Sequence, residues 1–303
     1  MEQRVAERGA VERSAAGQRV AGQVVAFQGE RGAYSEEALV RYFGELEPGR
    51  LEVLPCRTFR DVFDAINRGD ATDGLIPIEN SLAGSINDSY DLLLNNDLKV
   101  YGEVILPVNH YLLAPPGATL GGIKRVYSHP QALAQCDVFL GELGAEVIVS
   151  YDTAGSAKMV AESGSVTSAA IASRRSADIY GLTVLAERIQ SLPDNFTRFY
   201  AIGRKDGGKS SQNKTVLVMA TKHLPGALYW CLGAIACRGI NMTKLESRPS
   251  RNTAWEYTFF LDLEAHISDP VCIDAIEELR TKTLFLRVLG SFPAAAGAEH
   301  VRE

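Results

Sequence analysis

The chain is poor in the residues that build metal sites and disulfide frameworks. Its five cysteines, Cys56, Cys136, Cys231, Cys237 and Cys272, are odd in number and scattered, with no C-x-x-C pair. That spacing suggests neither a zinc site nor a disulfide scaffold, and it fits a reducing compartment. Five dispersed histidines give no support to a histidine-based metal centre either. No apolar stretch approaches the ~18 residues that a membrane-spanning helix requires. Positive charge is not in excess: 31 Lys+Arg against 37 Asp+Glu leave a formal charge of −6. A nonspecific nucleic-acid binder, which needs a basic surface, is thereby excluded. Residues 1–20 lack the apolar centre of a secretory signal, and Glu2, Glu7 and Glu12 do not suit an acid-poor transit peptide. They read as a loose tail or short helical lead-in, and the expected address is the cytoplasm.

What is present is a chain able to fold. With 46% apolar and 22% charged residues it can bury a sizeable core, and 303 residues suggest two domains. The structured part is expected from Val24, where Val24-Val25-Ala26-Phe27 reads as a short buried strand. Ser35 is expected to cap the following helix, with Glu36 and Glu37 in its first turn. Thr58 and Asp61 form a capping-box pattern ahead of Phe59, Val62, Phe63 and Ile66, which recur at helical spacing before Gly69. A strand near Gly74–Ile78 and a helix opening at Ser85, with Ile86, Tyr90 and Leu93 on one face, come next. Strand–helix alternation continues as Ile123–Tyr127 with Pro130–Leu140, Glu146–Val149 with Thr153–Glu162, and Ala169–Ala172 with Arg174–Tyr180. Such alternation argues for an α/β architecture with largely parallel strands. Extended stretches near residues 99–114 and 182–203 read as crossings between two lobes, with a ligand cleft between them. That plan is shared with periplasmic-binding-protein-like receptors.

Residues 204–213 are polar, contain glycine and lack an apolar period, which marks a linker. Beyond it the pattern is strand Thr215–Ala220, helix Gly226–Cys237, strand Ile240–Glu246, strand Trp255–Leu263, helix Val271–Leu279 and strand Phe285–Leu289. This is the ferredoxin-like βαββαβ unit. The expected organisation is a tail over 1–23, a two-lobed domain over 24–203, the linker, a second domain over 214–290 and a tail over 291–303. Residues Gly203 to Ser210 match the phosphate-loop expression G-x-x-x-x-G-K-[ST]. A strand is expected next where that motif requires a helix, so a nucleotide site is rejected.

Several strand-to-helix junctions carry small polar residues: Gly29 to Ser35, Pro77 to Ser81, Ser128 to Gln131 and Asp152 to Ser156. Free helix-terminal N–H groups and hydroxyls at such junctions suit a carboxylate-bearing ligand, although any one of them is ordinary capping. The stretch Asp194-Asn195-Phe196-Thr197-Arg198-Phe199 is decisive. Together with Pro77-Ile78-Glu79-Asn80-Ser81 and Ser128-His129-Pro130-Gln131-Ala132-Leu133-Ala134-Gln135-Cys136, it resembles the prephenate dehydratases and the sister arogenate dehydratases over most of residues 24–290.

The resemblance implies cofactor-free conversion of prephenate to phenylpyruvate, in phenylalanine biosynthesis, with loss of carbon dioxide and water. It implies Thr197 as general acid, with Glu79 and Asn80 beside it as catalytic residues. Arg198 is expected to hold a substrate carboxylate through paired hydrogen bonds. Ser128, Gln131, Gln135, Ser81 and Ser35 are expected polar contacts, and Phe199 a wall residue. His129 reads as a capping or outer histidine and Cys136 as packing. The family's usual Gly-Thr-Phe-Ser stands here as Gly32-Ala33-Tyr34-Ser35, a departure that leaves prephenate against arogenate open.

In the second domain, Pro225-Gly226-Ala227-Leu228 and Glu246-Ser247-Arg248-Pro249 resemble the regulatory ACT domain of the same family. The resemblance implies phenylalanine as effector, bound by Gly226, Ala227, Leu228, Asn241, Glu246 and Ser247 at a two-fold interface. A homodimer or homotetramer follows from that interface. A non-catalytic binding module for an amino acid or organic acid is the alternative of a different class. A Ser-His-Asp hydrolase built on Ser128 or Ser156 lacks the G-x-S-x-G elbow.

Overall fold

The computed structural model describes residues 22–249 and 257–295. They fall into two compact units, one holding the chain up to Leu92 together with Val104–Phe199, the other Leu93–Glu103 together with the chain from Tyr200. The expected tails, and Trp255 at the head of an expected strand, lie at least partly outside the described residues. No helix among the described residues is long and apolar enough to cross a membrane. All five cysteines are unpaired.

The first unit opens with β1 (Gln23–Gln28), α1 (Tyr34–Phe43), β2 (Leu51–Cys56), α2 (Phe59–Arg68), β3 (Asp73–Asn80), β4 (Gly84–Ser85) and α3 (Asn87–Asn95). The capping box on α2 is formed: Thr58 Oγ1 accepts from Asp61 N, Asp61 Oδ2 accepts from Thr58 N, and Gly69 closes the helix in the left-handed region. Two expectations nearby are corrected. Ser35 does not cap α1, because the helix begins at Tyr34 with Ala33, two residues earlier, as its N-cap and no side-chain cap bond. Ser85 opens no helix either; it pairs with Glu79 as part of β4, and α3 starts at Asn87.

The chain continues through β5 (Lys99–Pro107), β6 (Tyr111–Ala114), the short 3₁₀ turn Leu120–Gly122, β7 (Arg125–Ser128), α4 (Pro130–Gln135), α5 (Asp137–Leu143), β8 (Glu146–Val149), α6 (Thr153–Ser163), β9 (Ser168–Ala172), α7 (Arg174–Tyr180), β10 (Thr183–Ala186) and β11 (Phe196–Gly203). A first sheet runs β2-β1-β3-β11-β5, with β4 on β3, and a second runs β10-β6-β9-β7-β8. The two extended stretches pass from one sheet to the other: β5 and β11 sit in the first, β6 and β10 in the second. Pairing is mixed rather than largely parallel. β1 with β2 and β3, and β7 with β8 and β9, are parallel, while β6 runs antiparallel to both β9 and β10. In the second sheet β6 alone runs against its companions, which helical periodicity could not show.

Alternation explains how the second sheet is covered on both faces. Leu112 and Ala114 of β6, with Ala169 and Ile171 of β9, pack with Leu133, Cys136 and Leu140. Leu113, Ala170 and Ala172 point the other way, against Ala157, Val160 and Ala177. The expected helix over Pro130–Leu140 is two helices, broken at Cys136 where the backbone leaves the α region (φ −118°, ψ 22°).

One turn joins the two halves of this unit. Gly32, at φ +86°, presents its carbonyl to Ser173 Oγ (2.5 Å) and Ser176 Oγ (2.9 Å), both at the start of α7. Its N–H donates to Glu36 Oε2 at 2.6 Å. The Glu36 carboxylate is fully buried and also receives Arg31 Nε and Arg175 Nη2, each at 3.0 Å. A Cβ on Gly32 would lie 2.8 Å from Ser176 Oγ and 2.9 Å from its Cα, so only glycine fits here.

The second unit adds β12 (Asn213–Thr221), α8 (Ala227–Ala236), β13 (Met242–Pro249), β14 (Tyr257–Leu263), α9 (Pro270–Lys282) and β15 (Thr283–Pro293), the expected βαββαβ order. Its sheet runs β13-β14-β12-β15, antiparallel in every pair. Leu217, Met219, Phe259, Leu261 and Leu263 from the sheet meet Cys231, Ala234, Ile235, Ala275, Ile276 and Leu279 of the two helices. Beneath lies a buried ion pair, Lys214 Nζ donating to Glu103 Oε1 (2.7 Å) and Oε2 (2.8 Å), with Ala295 N donating to Oε1 at 3.0 Å. Lys209 of the rejected phosphate loop is held by Asp269 at 2.5 Å, and the segment leads into strand β12 rather than a helix.

Two substitutions test these constraints by chemical unfolding. Glu103→Ala leaves the buried Lys214 ammonium without its carboxylate and is expected to cost about 3–5 kcal/mol. Gly32→Ala forces both a left-handed alanine and a clash with Ser176, with an expected loss of about 1–3 kcal/mol. Midpoints equal to that of the unaltered protein would contradict both assignments.

Candidate active site

β3 and β11 are neighbours in the first sheet, so the end of one strand meets the start of the other. Ser81 fastens the junction: its N–H donates to Phe196 O (2.8 Å), its hydroxyl to Asp194 O (2.9 Å), and Phe196 N donates back to Ser81 Oγ (2.9 Å). Asn80, nearly buried, occupies the centre. Its Oδ1 accepts from Leu82 N at 3.1 Å and Ala83 N at 2.9 Å. This fixes which end of the amide is which. Nδ2 then donates toward Asn195 Oδ1 (2.8 Å), Phe196 O (3.1 Å) and Thr197 Oγ1 (3.0 Å).

The consequence for Thr197 is chemical. An amide N–H can only donate, so the Thr197 oxygen accepts, and the hydroxyl's own proton is directed elsewhere. A partly exposed hydroxyl whose oxygen already receives an N–H bond is a better proton donor than an isolated one, because the bond stabilises the oxyanion left behind. Arg198 and Glu79 stand alongside on the same two strands, Nη1 to Oε2 at 3.8 Å, both partly exposed. Thr197 and Arg198 are consecutive on β11, where successive side chains leave opposite faces of the strand, so Asn80 meets the threonine and Glu79 the arginine. Phe199 is buried at 2% exposure, which makes it a core residue of the strand rather than an open wall.

The residues of the second sheet divide. Ser128 is fully buried, and its hydroxyl donates to Ile171 O at 2.6 Å, tying β7 to β9. Its proton is therefore committed to the backbone. His129 is the N-cap of α4, its Nδ1 accepting from Gln131 N at 3.3 Å, so the capping reading of this histidine is the observed one. The Gln131 side chain is exposed. Gln135 is drawn into the Asn80 cluster, its Oε1 accepting from Asn195 Nδ2 at 3.0 Å. Ser35 is buried within α1. Asp152 caps α6 by accepting from Ala154 N (2.7 Å) and Gly155 N (3.1 Å), and burial raises its carboxyl above the usual range.

Sequence reasoning missed His110 here, and it gave Asn195, inside its decisive stretch, no role of its own. Asn195 is buried between Asn80 and Gln135, and His110, 2% exposed, donates or accepts through both ring nitrogens. Neither carries a periodic signal; His110 sits in the three-residue turn between two strands. The Tyr34 hydroxyl, the family departure, turns inward to Asn109 O (2.8 Å) and His110 Nδ1 (2.7 Å). Among the described residues no three His, Cys, Asp or Glu side chains come together as a metal site.

In the second unit, Thr221 to Tyr229 line an open cavity of about 490 Å³ at the start of α8. Gly226 takes the left-handed region at φ +79° there, and Gly226, Ala227 and Leu228 all contribute to the lining. Asn241, Glu246 and Ser247 do not line it. Asn241 donates to Glu264 Oε2 at 2.6 Å, while Glu246 and Ser247 lie on β13 opposite Phe260 and Phe259.

Comparison with known proteins agrees with this geometry. The prephenate dehydratase family model matches residues 25–207. The arogenate dehydratase/prephenate dehydratase 2 of Arabidopsis thaliana, a chloroplastic protein, is 42% identical over 280 residues, spanning 89% of this chain and 72% of the relative. A solved structure described as GqqA, a novel type of quorum quenching acylase, superposes with a TM-score of 0.82 at 36% identity, covering 90% of this chain and 99% of the other. The prephenate dehydratase of Arthrobacter aurescens, solved with L-Phe, gives 0.80 at 31% identity, covering 89% of each. With the family model spanning more than half its length, and Asn80, Thr197 and Arg198 gathered on adjacent strands, the chain belongs to the prephenate dehydratase family.

Proposed function

We propose that this protein is a prephenate dehydratase, and that the hydrogen bond from Asn80 to the Thr197 oxygen is the feature on which its chemistry turns. The two sheets of the first unit serve as the lobes of a periplasmic-binding-protein-like domain over residues 24–203, with the substrate between them. Thr197 passes its proton to the ring hydroxyl as that carbon–oxygen bond breaks. The bond from the ring to its carboxyl carbon breaks, its electron pair completes the aromatic ring, and water and carbon dioxide leave. The proton leaves in the water formed, and one proton is taken up from solvent to restore the Thr197 hydroxyl, whose oxygen Asn80 stabilises in the interval. Arg198 binds a substrate carboxylate; Glu79 helps to orient the guanidinium. Gln131, exposed beside His129, supplies a neutral contact, and Ser128, Ser81 and Ser35 support the walls.

Arogenate is the alternative substrate, because the Ala33-Tyr34 departure removes a threonine hydroxyl near the expected cleft. The inward turn of Tyr34 toward His110 favours prephenate only in that it offers no new contact for an amino group. The likeness to the acylase structure raises a second activity. An acyl transfer needs an activated nucleophile, and Ser128 and Ser156 both donate their protons to backbone carbonyls, at 2.6 Å and 2.7 Å. Dehydration is the better fit.

The second unit, residues 214–290 beyond the linker 204–213, we read as an ACT domain that takes phenylalanine. The cavity at the start of α8 supports this: Gly226 allows close backbone approach, and the N–H groups there suit a carboxylate. Tyr229 and Trp230, 74% and 54% exposed, flank it and suit a two-fold contact with a second copy.

Phenylpyruvate formation from prephenate, without added cofactor, is the direct assay, with arogenate and an N-acyl amide as competing substrates. Thr197→Ala is expected to lower kcat by about 10²–10⁴-fold with the thermal midpoint retained; a loss below tenfold would remove Thr197 as the acid. Phenylalanine is expected to raise the thermal midpoint of a dimer or tetramer by light scattering, and Gly226→Val to abolish that shift. A monomer unaffected by phenylalanine would contradict the regulatory reading.

A further inference from the structure

The polarity that begins at Asn80 does not stop at Thr197. With Asn80 Oδ1 held by two backbone N–H groups, its Nδ2 faces Asn195 Oδ1, so Asn195 must turn its own Nδ2 to Gln135 Oε1 at 3.0 Å. The same Gln135 oxygen receives His110 Nε2 at 2.8 Å, which makes Nε2 the protonated nitrogen of the ring. Nδ1 is then left as an acceptor facing the Tyr34 hydroxyl at 2.7 Å, whose one proton is shared between Nδ1 and Asn109 O at 2.8 Å, the two rings lying edge-on at 5.6 Å between centroids. Asn195 and His110 are 1% and 2% exposed, so water does not compete for these bonds. Each donor is dictated by the one before it, from the backbone of Leu82 and Ala83 out to His110.

We propose that His110 is a positioning residue for Thr197, acting through Gln135, Asn195 and Asn80, with Tyr34 locking the imidazole in its Nε2–H form. The inference rests on the dehydratase reading for what Thr197 does, but not for the network itself. If the donor at His110 were lost, Gln135 could rotate its NH₂ toward Asn195 Nδ2. Two donors would then face each other, and relief by turning Asn195 would carry the fault to Asn80. The Thr197 oxygen would lose its fixed N–H partner. Burial holds the His110 pKa below its ordinary value, against the opposing bond from Gln135. Tyr34 faces the ring from α1, and Glu37 of α1, Cys136 and Tyr111 of β6 act electrostatically on Tyr34. The unfolded chain therefore takes up the histidine proton first, near pH ~6.5, and acidification through that range costs stability.

The test compares His110→Leu, His110→Gln and Tyr34→Phe. Glutamine places an amide N–H where Nε2 stands and keeps the bond to Gln135; leucine does not. Expected for His110→Leu is a fall in kcat of about 10²-fold with little change in KM, largely restored in His110→Gln. Nitrogen NMR of the imidazole is expected to show the Nε2–H tautomer, titrating at lower pH than a free histidine, with that tautomer preference weakened in Tyr34→Phe. Equal impairment of the leucine and glutamine variants, a change confined to KM, or an Nδ1–H ring would overturn the proposal. A wild-type protein that turns over neither prephenate nor arogenate would instead remove the dehydratase reading, with the NMR measurement still deciding the polarity of the network.

Discussion

The side-chain amide of Asn80 is the constraint around which the candidate site is arranged. Its oxygen is anchored by the N–H groups of Leu82 and Ala83, and its nitrogen reaches Asn195, the carbonyl of Phe196 and the oxygen of Thr197. An unanchored asparagine could flip at small cost and exchange a donor for an acceptor. Anchored to backbone, it cannot do so without leaving buried polar groups unpaired. Thr197 thereby receives a hydrogen bond whose direction is set by the fold. This is what a neutral hydroxyl needs if it is to give up a proton, because the anion it would leave has a donor already in place.

The surroundings are built to keep that arrangement still. Ser81 stitches β3 to β11 through both its backbone and its hydroxyl, so the two strands that carry Glu79, Asn80, Thr197 and Arg198 cannot slip in register. The Gly32 turn clamps the start of α1 against α7 through Ser173, Ser176 and the buried Glu36 carboxylate. Two arginines neutralise that carboxylate. Charge in the interior is thus confined to places where it joins elements. The Asn80 network itself is made of amides, hydroxyls and an imidazole whose pKa burial lowers.

Much of the architecture could be read from the chain. The Thr58–Asp61 capping box, the stop at Gly69, the helix Arg174–Tyr180 and the βαββαβ order of the second unit follow from local patterns, and each is present. Local patterns failed where a longer-range partner decided. Ser35 has the side chain of a cap, but Glu36 accepts from Gly32 N and the helix starts two residues earlier, at Tyr34. Cys136 lies in phase with the helix before it, yet the helix breaks there to begin α5. The direction of β6 and β10 was invisible because alternation is the same whichever way a strand runs.

The residue types of the site, Glu79-Asn80-Ser81 and Thr197-Arg198, stand in two short motifs, and their chemistry is a property of those side chains alone. That they meet is a property of the sheet. Asn80 and Thr197 are 117 positions apart and touch only because β3 and β11 were brought side by side. The same holds more strongly for His110 and Tyr34, which no motif singled out as a pair. Sequence determines which groups can donate, accept or ionise, because that is covalent chemistry. Tertiary structure decides which way each hydrogen bond points and which groups lose their water, because both depend on neighbours that are distant along the chain.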